Sequence, residues 1–217
     1  MTIDEAQHTF EKKLVRHCAP TLAGVKASNL FNCSALGEHV FLSKEHHRTI
    51  VDRAQSKMRK GGVVLSILVQ RDSGALVFVY RPCALRTILQ HGPSRLFLQE
   101  RGYDTSSPEA CIESLRRRFK EFDCRKMGNP GCARCDFPHE VGLLLGYPFE
   151  DVMGFIDNDG QGDKCTGTWK VYGNELRAKS AFSCYKHHTR RLSELFSQGA
   201  SIGELAMLGQ ATQRHVS

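Results

Sequence analysis

Apolar residues recur at helical spacing over residues 4–17, where Phe10, Leu14 and Val15 share one face and charged residues take the other, which predicts an amphipathic helix ending near Cys18. The same period returns over 44–60, with Ile50, Val51, Ala54 and Met58 aligned before Gly61-Gly62 stops it. Residues 28–33 have the pattern of a strand. Val63–Gln70 and Ala75–Tyr80, rich in β-branched and aromatic residues and joined at Arg71-Asp72-Ser73-Gly74, predict a hairpin central to a sheet. Helices follow at 82–90, at 93–101 and after Ser107-Pro108, the last turning Ile112, Leu115 and Phe119 inward. After a loop over 124–136, Asp136 caps a predicted helix from Phe137 to Leu145, and Pro148 opens another to about Ile156. Asp157-Asn158-Asp159-Gly160 is a turn, Thr168–Tyr172 a strand, Asn174–Gln198 a long amphipathic helix, and Ile202–Leu208 a short one. The expectation is an α+β fold, with a small antiparallel sheet (hairpin 63–80 plus strand 168–172) packed by amphipathic helices. It forms a single domain over 1–209, and 210–217 is a frayed tail.

Composition narrows the class. At 217 residues and 41% hydrophobic, the chain can bury a core without a disulfide framework. The start, Met1-Thr2-Ile3-Asp4-Glu5, has no apolar signal region and no run reaches membrane-spanning length, so a cytoplasmic protein with no membrane partner is expected. An odd count of nine cysteines then points to thiols or metal ligands rather than bridges. A net charge of +7 raises nucleic acid as a partner. The basic runs Lys12-Lys13, Arg116-Arg117-Arg118 and Arg190-Arg191 lie on three helices without interleaved aromatics, so that reading ranks last. Nothing in the sequence specifies an oligomeric state.

Chemically particular residues concentrate between Phe137 and Tyr172. His139 and Glu140 follow Pro138 at a helix start, which suits an imidazole base beside a carboxylate, or a cap and a dipole partner. A zinc-protease motif is excluded because Leu143 stands where the second His belongs. Gly142 and Gly146 lie four apart and allow close approach of a backbone or a flat ligand. On the last strand Trp169 and Val171 share a face, leaving Lys170 and Tyr172 either to hold a ligand or to meet solvent. Upstream, Cys18 has His17 and Lys26 nearby in sequence and is either a nucleophile or a buried small hydrophobe. Cys132 and Cys135 form a C-x-x-C with Cys124, Cys165 and His139 as further donors, either half of a zinc or iron site or, for want of a second pair, cysteines incidental to the loop. There is no dinucleotide glycine fingerprint and no phosphate loop.

Several segments in one order, Phe137-Pro138-His139-Glu140-Val141-Gly142, His17-Cys18-Ala19-Pro20-Thr21-Leu22-Ala23-Gly24-Val25-Lys26, Gly146-Tyr147-Pro148 with Glu150-Asp151-Val152, Gly154-Phe155-Ile156 and Trp169-Lys170-Val171-Tyr172-Gly173, carry a nearly full-length resemblance. The chain resembles a bacterial family of domains of unknown function, number 3793. The resemblance implies a cytosolic protein of anaerobic bacteria and supplies candidate positions without a mechanism. Cys132-Ala133-Arg134-Cys135 departs from the family pattern, and 162–167 carries a small insertion before the Trp.

Two readings follow. In the first, a small enzyme acts on a small molecule, with Cys18 as nucleophile or ligand, His139 as base, Glu140 as its orienter, and Lys26, Gly142, Trp169, Lys170 and Tyr172 around the pocket. In the second, the chain is a non-catalytic module that takes up a metal, a tetrapyrrole or a nucleotide.

Overall fold

The computed structural model describes residues 2–34, 44–71, 74–126 and 137–214, and the chain divides into two compact units, Met1–Pro82 with His188–Ser217, and Cys83–His187. Among the described residues no helix is long and apolar enough to cross a membrane. The fold is α+β, with a three-stranded antiparallel sheet, a separate two-stranded ribbon and helices for the rest.

The first unit opens with α1 (Ile3–Leu22), started by a capping box in which Thr2 Oγ1 accepts the Glu5 N–H at 3.2 Å and Glu5 Oε2 accepts the Thr2 N–H at 2.7 Å. Phe10, Leu14 and Val15 are buried as their spacing demands. The helix continues past Cys18, because Pro20 falls in its last turn, where a missing N–H forfeits a single bond. Gly24, at φ +74°, then reverses the chain, and the Pro20 carbonyl accepts the N–H groups of Val25 (3.0 Å) and Lys26 (3.1 Å). The strands β1 (Ser28–Ser34), β2 (Val64–Arg71) and β3 (Gly74–Tyr80) form a sheet with β3 in the centre, Ser28 opposite Tyr80 on one side and Val64 opposite Tyr80 on the other. The hairpin's third strand is thus β1 and not 168–172. A bulge between Ile67 and Val69 interrupts the second ladder. The middle of the hairpin turn, 72–73, lies outside the described residues.

Between β1 and β2 comes α2 (Lys44–Met58), followed by a 3-10 turn, Arg59–Gly61. The chain returns to this unit with His188 onward of α8 (Glu175–Ser197) and with α9 (Ile202–Arg214), which outruns its predicted end. Arg81, just after β3 and 1% exposed, ties these pieces together. Its guanidinium donates to the carbonyls of Thr21 (2.7 Å), Leu22 (2.6 Å), Gly61 (2.7 Å) and Ala206 (2.8 Å). Thr21, Leu22 and Gly61 end a helix or a 3-10 turn, where carbonyls lack intrahelical donors, so the cation answers a local deficit.

The second unit contains α3 (Pro82–Gln90, from Cys83), α4 (Gly92–Glu100), α5 (Pro108–Lys126), α6 (Val141–Leu144), α7 (Phe149–Asp157) and the start of α8. A short ribbon pairs β4 (Cys165–Thr166) with β5 (Lys170–Val171), Cys165 opposite Val171. Ser107 caps α5 by accepting the Ala110 N–H at 3.1 Å. Where a helix from Phe137 to Leu145 was expected, only Val141–Leu144 is helical. The chain before it closes i-to-i+3 bonds (Val141 to Pro138, Gly142 to His139, Leu143 to Glu140, all 3.0 Å), and Gly146 at φ +78° ends the element.

Candidate functional site

Within the second unit, three constructions meet the chemically particular residues. The first surrounds Trp169, which is packed among Val171, Ala178, Tyr147, Phe182 and Tyr185; Tyr147 stacks on it at 4.9 Å and Phe182 meets it edge-on at 4.5 Å. Its indole N–H donates to Asp151 Oδ2 at 2.6 Å, while Asp151 Oδ1 accepts the backbone N–H groups of Tyr172 (2.8 Å) and Gly173 (2.7 Å). Asp151, 2% exposed, is therefore a buried carboxylate fully engaged by donors, and it fastens α7 to the ribbon. Trp169 and Val171 face the core, as alternation predicts. The opposite face is occupied too: Lys170 Nζ donates to the Gly160 carbonyl at 2.6 Å and pairs with Asp163 at 3.2 Å, and a Cβ on Gly154 would run into the Tyr172 ring.

The second construction separates the His139–Glu140 neighbours. Glu140 is 3% exposed, and its Oε1 takes the Tyr103 hydroxyl at 3.0 Å and Arg118 Nε at 3.1 Å. Burial and the adjoining Glu140 carboxylate hold the Tyr103 phenol far above its usual range, so it stays a donor. His139 is exposed, its ring between Phe137 at 5.1 Å and Phe155 at 5.0 Å. The carboxylate that was to orient His139 thus serves Tyr103 and Arg118. Gly142 does permit a close approach, but to Val152 and Tyr147, since a Cβ there would lie 2.9 Å from Val152 Cγ2.

The third is a groove of about 280 Å³, lined by Thr87, Ile88, His91, Ser94, Leu143, Gly146, Tyr147, Pro148, Phe149, Glu150 and Arg177. Its lining includes the apolar residues Ile88, Leu143, Pro148 and Phe149, and the polar His91 and Ser94, Glu150, and Arg177 come from the starts of three helices, beside Thr87 of α3 and Tyr147. His91 caps α4, with Nδ1 accepting the Ser94 N–H at 3.4 Å and lying 2.9 Å from Ser94 Oγ, so the neutral ring carries its proton on Nε2. Glu150 stands in the first turn of α7, its stem against Gly173, where an added Cβ would collide with it. Arg177 stands in the first turn of α8, its N–H accepted by Asn174 Oδ1 at 2.9 Å. Burial lifts the Tyr147 phenol to about 12. Of these residues the sequence reading singled out Gly146-Tyr147-Pro148 and the neighbouring Glu150-Asp151-Val152 as motifs, without a ligand-binding role for Glu150, and missed His91 and Arg177, whose polar side chains carry no spacing signal.

The family described as "Protein of unknown function (DUF3793)" matches residues 14–206. The chain belongs to this family. No curated protein and no solved structure matches it. The DUF3793 match spans both units, including the Cys18 segment of the first and the groove of the second.

In that first unit, Cys18 is fully buried within α1, and burial pushes its thiol far above the usual range despite the Lys26 ammonium. Its chain neighbour His17 is exposed and stacks on Phe31 at 5.8 Å. Lys26 is 4% exposed, and burial lowers its ammonium to about 8. Cys132 and Cys135 lie outside the described residues, among which no group of three or more His, Cys, Asp or Glu is placed to hold a metal ion.

Proposed function

We propose that this DUF3793 protein is a small-molecule-binding protein whose ligand sits in the groove between α3, α4, α7 and the start of α8. The observation that carries this reading is the groove itself: a concave, half-apolar surface with a few fixed polar groups is the usual form of a ligand site. At about 280 Å³ it lies at the lower edge of the roughly 300–1,000 Å³ of drug-sized sites, which favours a compact metabolite over a tetrapyrrole or a nucleotide. Thiol catalysis at Cys18 gains no support, because a thiol buried in apolar surroundings is seldom a thiolate. Nucleic-acid binding gains none from the Arg116-Arg117-Arg118 run, in which Arg116 pairs with Glu113, Arg117 donates to the Gly102 carbonyl at 2.9 Å and Arg118 holds Glu140. The free thiols Cys18, Cys33, Cys111 and Cys165 accord with a reducing, cytoplasmic setting.

The test is to titrate the 15N-labelled full chain with pools of organic acids, amino acids, sugars and nucleobases while following backbone amides. The expected result is a pool that shifts Thr87–Ser94 and Gly146–Glu150 together, and whose effect is lost in an Ile88→Trp variant that fills the groove. Shifts confined to other parts of the chain, or none from any pool, would overturn the reading.

A further inference from the structure

The two charges on the groove wall point to the ligand's class. Glu150 and Arg177 both line the cavity, and among the described residues neither the carboxylate nor the guanidinium has a hydrogen-bond or ion-pair partner. They are carried by separate elements whose backbones are fixed nearby: the Glu150 stem rests on Gly173, and Arg177 follows the Asn174 cap. Each ligand type can be weighed against that pair. A plain anion would meet Arg177 but sit beside Glu150, a plain cation would meet the reverse, and a neutral molecule would dry both charges without answering either. A ligand bearing both charges on a short apolar body complements all of the wall.

Resting on the groove reading above, we propose that the groove takes a zwitterion of the α-amino-acid class. The ligand carboxylate accepts a forked pair of bonds from Arg177, for which guanidinium geometry is suited. The His91 Nε2–H is a second donor in the same wall. The ligand ammonium donates to Glu150, and an aliphatic or aromatic side chain covers Ile88, Leu143 and Phe149. A volume of about 280 Å³ suits a free amino acid better than a peptide chain.

The experiment uses the full chain with each of the twenty L-amino acids. For any that shifts the groove amides, it adds the matched amine lacking the carboxylate and the matched acid lacking the amine; for leucine these are 3-methylbutylamine and 4-methylpentanoate. The expected result is that an apolar amino acid binds at least roughly tenfold tighter than either half-molecule. Glu150→Gln and Arg177→Met should each weaken it by roughly tenfold to a hundredfold, as loss of one charged hydrogen-bonding partner implies. Glu150→Gln should also narrow the preference over the acid, and Arg177→Met the preference over the amine. Both side chains are exposed, so unchanged melting temperatures confirm that the variants fold. A half-molecule binding as tightly as the amino acid, or affinity indifferent to both substitutions, would overturn the class. Should no amino acid bind while another pool shifts the same amides, the class falls and the groove stands; if nothing shifts them, both fall.

Discussion

A buried lysine ammonium loses its hydration, and Lys26 shows the consequence in a pKa lowered from 10.5 to about 8. Below pH 8 both folded and unfolded chains hold this proton and the cost of burying the charge is present in full. Between pH 8 and 10.5 the unfolded chain holds the proton and the folded chain releases it, so this group's contribution to stability rises with pH. Relative to a Lys26→Met variant, wild type should therefore gain about 1 kcal/mol from pH 8 to 9, read from urea unfolding at both values. A difference between the two proteins that does not change with pH would show that Lys26 keeps an ordinary pKa. The comparison is confined to pH 9 and below because the Cys18 thiol works in the opposite sense above it, ionising only in the unfolded chain. Cys18 and Lys26, near in sequence, also lie within electrostatic reach of each other, but burial outweighs the ammonium and the thiol is raised rather than lowered. Chain adjacency misled elsewhere too. His17 and Cys18 point to different surroundings because successive helical residues are turned about 100° apart, and His139 and Glu140 part in the same way across a turn, one exposed and one buried.

Elements with a sustained period were legible, and those defined by a local bond or by a missing side chain were not. The hairpin 63–80 and the helices after Pro82, Ser107 and Asn174 declare themselves over many residues. Of the β4–β5 ribbon, β5 was legible in the alternation of Thr168–Tyr172, while β4 has only two residues, too few for alternation to register. The strip that brings α9 close was visible in principle, since Gly203, Ala206 and Gly209 recur at intervals of three, but nothing in sequence says what such a strip faces. It faces backbone: a Cβ on Gly203 would lie 2.7 Å from the Lys57 carbonyl oxygen, one on Gly61 2.6 Å from Ala206 Cβ, and one on Gly209 would overlap the Leu22 carbonyl and the Arg81 guanidinium. Neither partner of Gly209 can yield cheaply, because Arg81 is held by four carbonyls at once. Gly209→Ala should thus destabilise the first unit by at least about 3 kcal/mol, the upper range for overpacking, despite its better helix propensity. Chemical denaturation checks it, and a neutral or stabilising outcome would mean that α9 shifts freely.

Across the whole molecule, the division into two units carries no compositional mark: one cut falls between Pro82 and Cys83 at the start of α3 and the other inside α8, with no flexible linker at either. Composition did indicate a chain able to build a core without bridges, and two histidines make the fold sensitive to acid. His47 is 4% exposed, and neither ring nitrogen has a hydrogen-bond partner among the described residues. Burial, with His46 adding repulsion, lowers its pKa below 6.5, and burial with Arg16 and Lys13 lowers that of His17. Both imidazoles bind protons in the unfolded chain before they do so in the folded one, so stability falls as pH drops below about 6.5. The carboxylates Asp163, Glu175 and Glu204, which hydrogen bonds hold below their ordinary values, contribute in the same direction only at much lower pH, near 4. The first acid loss therefore belongs to histidine. His47→Leu removes two unsatisfied nitrogens and the titration together, so it should raise stability at pH 7 by about 1 kcal/mol and flatten the decline between pH 6.5 and 5. Melting temperatures of the two proteins across that range decide it: parallel curves would remove His47 from the acid limb.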